Sequence, residues 1–214
     1  MKYNLAKRVV VYIFVLMLLS LGTALASKAN LGVSPASSFP FAGSMLTPLS
    51  FGMCIAAFQI LCVGLQFAHK PRMTVKLAFQ LPTAYAFGFL TDFFVKLLVF
   101  PPPGIALGAL MVAVSASIIG LGVRIHFGVS LILMPVDALV RVISEVVGWS
   151  LPKTKFTFDL SLVVITVTLT LIVFGNAFAA VGIGTIISML LIGPTVGLWQ
   201  KIFPFFDALA REEQ

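Results

Sequence analysis

Two uncharged stretches dominate this chain and constrain its fold more than any other feature. No Asp, Glu, Lys or Arg occurs between residues 29 and 68 or between residues 160 and 200. A helix needs about 20 apolar residues to cross a bilayer, so each stretch is long enough for such a helix. Only 10% of the 214 residues are charged and 60% are hydrophobic, against roughly 25% and 45–50% in soluble domains. The sequence therefore predicts an all-α integral membrane protein without a separate soluble domain.

Apolar segments separated by proline, glycine or charge predict six transmembrane helices, here called spans 1 to 6. They cover residues 9–27, 51–68, 75–98, 104–123, 158–179 and 184–202. Residues 30–50 are rich in Gly, Ser and Pro and are expected to be irregular or re-entrant. Residues 135–148 have an amphipathic pattern and predict a shorter helix that does not cross. We expect one membrane domain with two repeats, 9–98 and 104–203, and a short cytoplasmic tail, 204–214.

Span 1 has an alternative interpretation as a removed signal peptide, because Ala24-Leu25-Ala26 resembles a signal-peptidase site. The uncharged stretch is long for the hydrophobic region of a signal peptide, and it matches a later span. We therefore expect span 1 to be retained.

Basic residues fall in alternate loops. With a cytoplasmic N-terminus, Lys28 and Lys96 alone of the 14 basic residues lie outside. The positive-inside rule then places both termini in the cytoplasm. The net charge of +7 is accounted for by topology, which excludes nucleic-acid binding as a function class. The predicted inside residues are Lys2, Lys7, Arg8, Lys70, Arg72, Lys76, Arg124, Arg141, Lys153, Lys155, Lys201 and Arg211.

The sequence also matches itself at an offset of about 100 residues. Since each half has three spans, the second half would insert upside down, and the loop charges agree: the loop between spans 2 and 3 is basic and that between spans 5 and 6 is uncharged. A chance coincidence of residues that are common in membrane helices is the alternative. The matching segments are Leu21-Gly22 with Leu121-Gly122, Pro35 with Pro135, and Phe87-Gly88-Phe89 with Ile192-Gly193-Pro194.

Inverted repeats with broken segments are typical of alternating-access transporters, in which unwound backbone lines a cavity. We therefore expect a solute pocket between the two proline breaks, with apolar walls that include Phe39, Phe41 and Met134. The alternative is a tight connection at each break with nothing bound. The predicted solute contacts are Asn30, Ser34, Pro35, Gln80, Met134 and Pro135.

Four ionisable residues are candidates for coupling or gating: Asp92, Asp137, Arg141 and Asp159. The last three are expected to form a cytoplasmic-side ionic cluster in which the arginine bridges the two carboxylates. Asp92 has the alternative of a local ion pair with Lys96, four residues later. Asp137 and Arg141 have the alternative of a solvated helix face. Asp159 has the alternatives of an ordinary helix-dipole partner or of a salt bridge to Lys153, Lys155 or Arg141.

Other polar residues give no sign of catalysis. His126 is expected at a helix end and His69 in a basic loop, so neither has a sequence relation to the serines at 34, 37 and 38 that suggests an activated nucleophile. Cys54 and Cys62 are expected to fill the core. The sequence therefore predicts no enzyme, no cofactor and no metal site. Hydrogen bonds across helices are the expected role of Gln59, Gln66, Gln80 and Asn176, with ligand contact as the alternative.

Two strings of residues resemble the YczE/YyaS/YitT family of small bacterial membrane proteins, and the resemblance covers about residues 21–196. It implies a multi-pass inner-membrane protein, described as uncharacterised or as a transporter, and supplies no substrate. Many members carry an acidic residue and an arginine where this chain has Ser37 and Val136. The first string is Ala29-Asn30-Leu31-Gly32-Val33-Ser34-Pro35, then Gln66, Gln80-Leu81-Pro82, Gly88 and Asp92. The second is Met134-Pro135-Val136-Asp137-Ala138-Leu139, Phe158-Asp159, and Gly182-Ile183-Gly184-Thr185 leading to Gly193-Pro194.

The leading functional hypothesis is a secondary transporter or exporter of a small solute. One alternative is the substrate-binding membrane component of an importer with separate ATPases, because the chain itself has no Walker motif. Another is a membrane assembly factor that transports nothing. Expected partners are the lipid bilayer, a small-molecule solute, and a second copy or partner subunit docked on small residues such as Gly22, Ala26 and Ala29.

Overall fold

The structure, a computed structural model, describes residues 5–69, 72–101, 103–129 and 132–203. Within these ranges the chain forms eight α-helices. Three of the predicted inside residues, Lys2, Lys70 and Arg211, lie outside the described residues. The same holds for residues 130–131 of the second break and for the predicted tail, 204–214. The helices are α1 (Leu5–Lys28), α2 (Pro35–Leu46), α3 (Phe51–His69), α4 (Val75–Leu97), α5 (Ile105–Val129), α6 (Pro135–Val147), α7 (Leu151–Phe174) and α8 (Ile183–Ile202).

Five of the eight described helices, α1, α3, α5, α7 and α8, are long and apolar enough to cross a membrane. The chain is therefore a multi-pass, all-α membrane protein, as predicted. Helix α4 has 23 residues, but Gln80, Pro82 and Asp92 lower its hydropathy and it is not among the five. By helix length and composition, the described residues thus contain five candidate spans, one fewer than the sequence predicted.

The first proline break is shorter than predicted. Residues 35–46, expected to be irregular or re-entrant, form the helix α2, so irregular backbone is wrong for most of the 30–50 stretch, whereas a re-entrant segment stays a prediction. Pro35 occupies the first turn, where its missing N–H costs no intrahelical hydrogen bond. Irregular backbone is concentrated just before it, where Asn30 and Gly32 have φ angles of 55° and 92°. The amphipathic helix predicted after the second proline is confirmed as α6, which ends at a left-handed Gly148.

Two helices extend beyond their predicted spans. Helix α5 continues to Val129, so Arg124 lies inside a helix instead of a loop. His126 lies in the last turn of α5, as predicted, and both side chains are buried. Helix α7 begins at Leu151, seven residues before predicted span 5. Asp159 consequently lies well past the first turn of α7. The interpretation of Asp159 as a helix-dipole partner is therefore wrong, because that effect is confined to the first turn.

Helices α1 and α5 cross at the centre of the fold. Ser115 Oγ donates a hydrogen bond to the Gly22 backbone oxygen over 2.7 Å, and a Cβ at Gly22 would lie only 2.6 Å from Ile119 Cγ1. Helix α4 packs on α1, and α8 packs on α5. Buried side chains of α1, α3, α4 and α5, with Met134 before α6, form the core cluster, and Ile192 of α8 packs against it. Its members are Tyr12, Val15, Leu16, Leu19, Phe51, Ile55, Phe87, Ile119, Ile125 and Met134.

The two halves of the chain have the same helix order. Each has a long helix, a short helix and two long ones, with 24, 12, 19 and 23 residues in α1–α4 and 25, 13, 24 and 20 in α5–α8. The packing corresponds as well, since α2 packs on α3 and α7, and α6 packs on α7 and α3. One pair differs: α3 and α4 pack closely, whereas α7 and α8 scarcely touch.

The connection before α8 docks on the break after α1. Gly184 N donates a hydrogen bond to Leu31 O over 2.7 Å. A Cβ at Gly32 would lie 2.5 Å from Gly182 N and 2.7 Å from Thr185 Oγ1. The close backbone approach therefore requires glycine on both sides, and it ties the two halves together at this point.

Candidate functional site

A cavity of about 410 Å³ lies between the first turns of α2 and α6. This volume falls within the range of small-molecule sites. Ser34, Pro35 and Ser37 line it on the α2 side, and Met134 and Asp137 on the α6 side. It lies between the two segments at which the sequence analysis placed a pocket. Apolar side chains form most of the remaining wall and include Leu19, Ile55, Phe58, Phe87, Phe127 and Ile192.

The two short helices, α2 and α6, begin in the same way at the cavity wall. Each begins with a proline that follows a residue in extended conformation, Ser34 with φ −60° and ψ 152° and Met134 with φ −57° and ψ 141°. Neither preceding side chain caps its helix. Because their first turns line one cavity, both helices direct the positive ends of their dipoles toward it.

Lys155 of α7 lies between the two carboxylates of the cavity wall. Its Nζ is 3.0 Å from Asp159 Oδ1 and 3.5 Å from Asp137 Oδ1. Lys155 and Asp159 are one helical turn apart, whereas Asp137 lies in the first turn of α6. This ionic group therefore links α6 to α7 and provides the charge of the cavity wall.

Arg141 does not take the bridging position predicted for it. Its Nε lies 3.6 Å from Glu145 Oε1, and its side chain is 65% exposed. The predicted bridge by Arg141 is therefore wrong, and Lys155, one of the cations considered for Asp159, takes its place. The reason is geometric: Arg141 lies one turn further along α6 than Asp137, while the early start of α7 brings Lys155 to the carboxylates.

Gln59 of α3 lies in the cavity wall without a hydrogen bond. Its side chain is 3% exposed, and its Oε1 has no partner within the described part of the chain. A buried polar group without a partner costs about 1–3 kcal/mol. Such a group in a cavity wall is typical of a site that a ligand or water completes.

Gln66 and Gln80 connect α3 and α4 to the second break. Gln66 Nε2 donates to Gln80 Oε1 over 3.0 Å and to Pro135 O over 3.1 Å. Gln80 therefore acts as the interhelical hydrogen-bond partner that the sequence analysis considered, and it lines a neighbouring cleft instead of the cavity.

The structure brings three of the six predicted solute contacts to the cavity, namely Ser34, Pro35 and Met134. Asn30, Gln80 and Pro135 are not among its lining residues. The prediction of Phe39 and Phe41 as wall residues is wrong, because neither lines the cavity. The Phe39 ring lies 5.5 Å from that of the wall residue Phe58, and the Phe41 ring lies 5.1 Å from that of Phe51 in the core. Sequence reasoning did not place Gln59 or Lys155 in the pocket. The four-residue spacing of Lys155 and Asp159 was the one signal that could have indicated Lys155.

Asp92 of α4 lies away from the cavity, next to the N-terminus of α3. Its Oδ1 accepts a hydrogen bond from Gly52 N over 2.7 Å, and its Oδ2 accepts one from Ser50 Oγ. Within the described residues it forms no ion pair with Lys96, so that alternative is wrong. Asp92 of α4 thus holds the N-terminus of α3.

A cleft of about 420 Å³ adjoins the cavity, and both are lined by Phe127, Asp137 and Leu151. These three residues separate the two spaces. His126 lies in the cleft wall, 5% exposed, and neither ring nitrogen has a hydrogen-bond partner within the described ranges. Its ring centroid lies 5.7 Å from that of Tyr12.

Within the described ranges, no three His, Cys, Asp or Glu side chains are placed to hold a metal ion. Cys54 and Cys62 are buried and are not disulfide-bonded. The arrangement of the cavity, with one ionic group, one amide and apolar walls, is suited to binding a small molecule.

Comparison with known proteins identifies a family whose function is not known. The model of a family described as a family of unknown function, DUF6198, matches residues 6–201. No curated protein and no solved structure matches the chain.

Proposed function

We propose that this chain, which belongs to the family of unknown function DUF6198, is a secondary transporter or exporter of a small solute in the bacterial inner membrane. The observation that carries the proposal is the cavity of about 410 Å³ between the first turns of two corresponding short helices. Transporters place solutes in such sites between broken helices. A relationship to the YczE/YyaS/YitT family stays a prediction from the motifs.

We propose α4 as the sixth span. Its 23 residues are long enough to cross a bilayer. Two of its polar side chains have partners inside the protein, since Gln80 bonds to Gln66 and Asp92 to Ser50 and Gly52. Polar groups with such partners need not face lipid.

Six spans would divide into two inverted halves, α1–α4 and α5–α8. Three features support this proposal. Both halves have the same helix order, each short helix packs on the long helix that follows it and on the corresponding helix of the other half, and the cavity lies between the two short helices. The alternation of basic loops favours cytoplasmic termini.

The ionic group of Asp137, Lys155 and Asp159 is the proposed gate. Opening the cavity between α6 and α7 would separate Lys155 from Asp137, while the Lys155–Asp159 pair would stay intact within α7. Asp137 and Asp159 keep the gating role predicted from the sequence. Lys155 replaces Arg141 in it, and Asp92 has the role of a helix cap.

Reconstitution of the purified full chain in liposomes tests transport. Uptake or efflux is measured for a panel of solutes, with protein-free liposomes as the baseline. We expect saturable flux by the chain alone. Saturable binding without flux under any imposed gradient would contradict transport and favour the importer component. The absence of both binding and flux would favour an assembly factor.

Single-cysteine labelling tests the inversion. Cysteines replace Ala68 at the end of α3 and Phe178 between α7 and α8, both exposed, in a background where Cys54 and Cys62 are replaced by serine. Because these positions correspond in the two halves, a membrane-impermeant maleimide should label them from opposite sides. Labelling from the same side would refute the inverted repeat without affecting the cavity.

A further inference from the structure

We infer that the solute carries a protonated primary amine on an apolar body. That this ligand is a transported solute rests on the proposed function. The physical basis of the inference is the lining of the cavity between α2 and α6. It concerns what binds there, which equilibrium binding measures independently of transport.

The charges of the lining favour a cation. The charged residues among the described ones that line the cavity are Asp137, Lys155 and Asp159, so their formal charge is −1. An anionic group placed beside these residues would add to their negative charge, whereas a cationic group placed there would compensate it.

The hydrogen-bonding capacity of the same groups favours a donor. A carboxylate accepts up to about four hydrogen bonds, whereas an ammonium donates three. Lys155 faces two carboxylates, so acceptor sites outnumber donors in this part of the wall. A primary ammonium supplies three further donors together with the compensating charge.

Gln59 provides independent support. Its amide is nearly completely buried, lines the cavity, and has an Oε1 without a partner in the described part of the chain. Burial of such an acceptor is unfavourable until a donor reaches it. An N–H group of the solute would satisfy it.

The rest of the cavity selects the body of the solute. Phe58, Phe87 and Phe127 line it together with aliphatic side chains. Aromatic faces bind both apolar groups and cations. A solute whose ammonium lies near Asp159 would therefore place an apolar group among these rings.

The helix dipoles act against a cation, and they define a second feature of the solute. Each helix N-terminus corresponds to about +0.5 charge. Asp137 lies in the first turn of α6 and compensates that helix, but α2 has no acidic residue in its first turn. A carboxylate on the solute would therefore lie near Ser34 and Ser37. A simple amine and an amino acid share the ammonium, and the test separates them.

Four probes with the same phenyl group test the inference: 2-phenylethylamine, phenylalanine, 2-phenylethanol and 3-phenylpropionate. Equilibrium binding of each to the full chain in detergent is measured at neutral pH. We expect the amine, phenylalanine or both to bind at least about tenfold more tightly than the alcohol and the acid. Binding of phenylalanine alone would identify an amino acid. Equal binding of the alcohol, tighter binding of the acid, or no binding of any probe would overturn the inference.

Three variants locate the interaction. Asp159→Asn should weaken binding of the amine about tenfold or more, because it removes a charge-assisted hydrogen bond. Glu145→Gln removes the same charge from an exposed position on α6 and should leave binding unchanged. Gln59→Leu should raise the melting temperature of the empty protein and weaken binding, a combination that a purely structural glutamine would not give. Unchanged binding in both cavity variants would contradict the inference, whereas intact binding without flux would contradict only transport.

Discussion

The helix pairs α3–α4 and α7–α8 hold the same place in the two halves, yet they pack differently. Helices α3 and α4 lie in close contact, and half of the α3 span is buried inside the protein. Helices α7 and α8 scarcely touch, and 17% of each span is buried. One helix order is therefore compatible with a closed and an open pair.

Specific residues account for the closed pair. A Cβ at Gly88 would overlap the backbone oxygen of Gly52, so only glycine permits this approach of α3 and α4. Gly193, which the predicted repeat aligns with Gly88, has no heavy atom from a neighbouring element of the described chain within 4 Å of the corresponding Cβ position. Asp92 then joins the two closed helices through polar contacts to Ser50 and Gly52.

The largest effect is expected from Gly88→Ala compared with Gly193→Ala. The first substitution forces α3 and α4 apart and should cost about 1–3 kcal/mol or more, as overpacking does. The second adds a methyl group in open space and should leave stability unchanged or slightly higher. Thermal unfolding in detergent measures both. Equal melting temperatures of the two variants would show that the close approach of α3 and α4 is not a source of stability.

A smaller effect is expected at the cap of α3. Asp92→Ala removes the acceptor of the Gly52 N–H and should cost about 0.5–2 kcal/mol. Asp92→Asn keeps an acceptor and should lose less. Lys96→Ala, one turn further along α4, serves as the control and should have a melting temperature close to that of the unmodified chain. A comparable loss in Lys96→Ala would point to the Asp92–Lys96 pair instead of the cap.

The smallest difference in stability is expected between two variants that each remove a contact of a short helix, α6 or α2. Gln66→Leu removes hydrogen bonds to Gln80 and to Pro135 of α6 and should cost about 1 kcal/mol. Thr166→Val in α7 removes the corresponding contact to Ser38 of α2. It should cost less, because both hydroxyls also reach backbone oxygens of their own helices and each has one proton. A larger loss in Thr166→Val would reverse this ranking of the two halves.

The sequence predicted the membrane class, α6 and the segments around the cavity because apolar length and proline position determine them directly. It failed where polar residues form helix. Residues 35–46 resemble a loop in composition, but Ser38 and Ser44 donate to backbone oxygens three residues earlier within α2. Lys155 was predicted in the loop before span 5 and Asp159 at the start of that span, yet both lie well inside α7 and line the cavity. Composition does not distinguish a polar residue that faces water from one that faces a binding site.

The hydrogen-bond partners of Gln59 and Gln66 could also not be predicted from the sequence. Both are glutamines of α3 in similar apolar surroundings. Gln66 reaches Gln80 and Pro135, whereas Gln59 lines the cavity with an Oε1 that has no hydrogen-bond partner among the described residues. Their difference arises from the position of α6 relative to α3, which depends on contacts distant in sequence.

The hydrogen bond from Gly184 N to Leu31 O has a consequence for how the protein is made. Its two residues are separated by roughly 150 positions, and at about 5–20 residues per second a ribosome needs roughly 10–30 s to synthesise that length. During this interval the first half is already in the membrane, and its Leu31 carbonyl must use water, lipid headgroups or the insertion machinery as a partner. Truncation before α8 should therefore leave a nascent chain that insertion factors or membrane proteases recognise as incomplete.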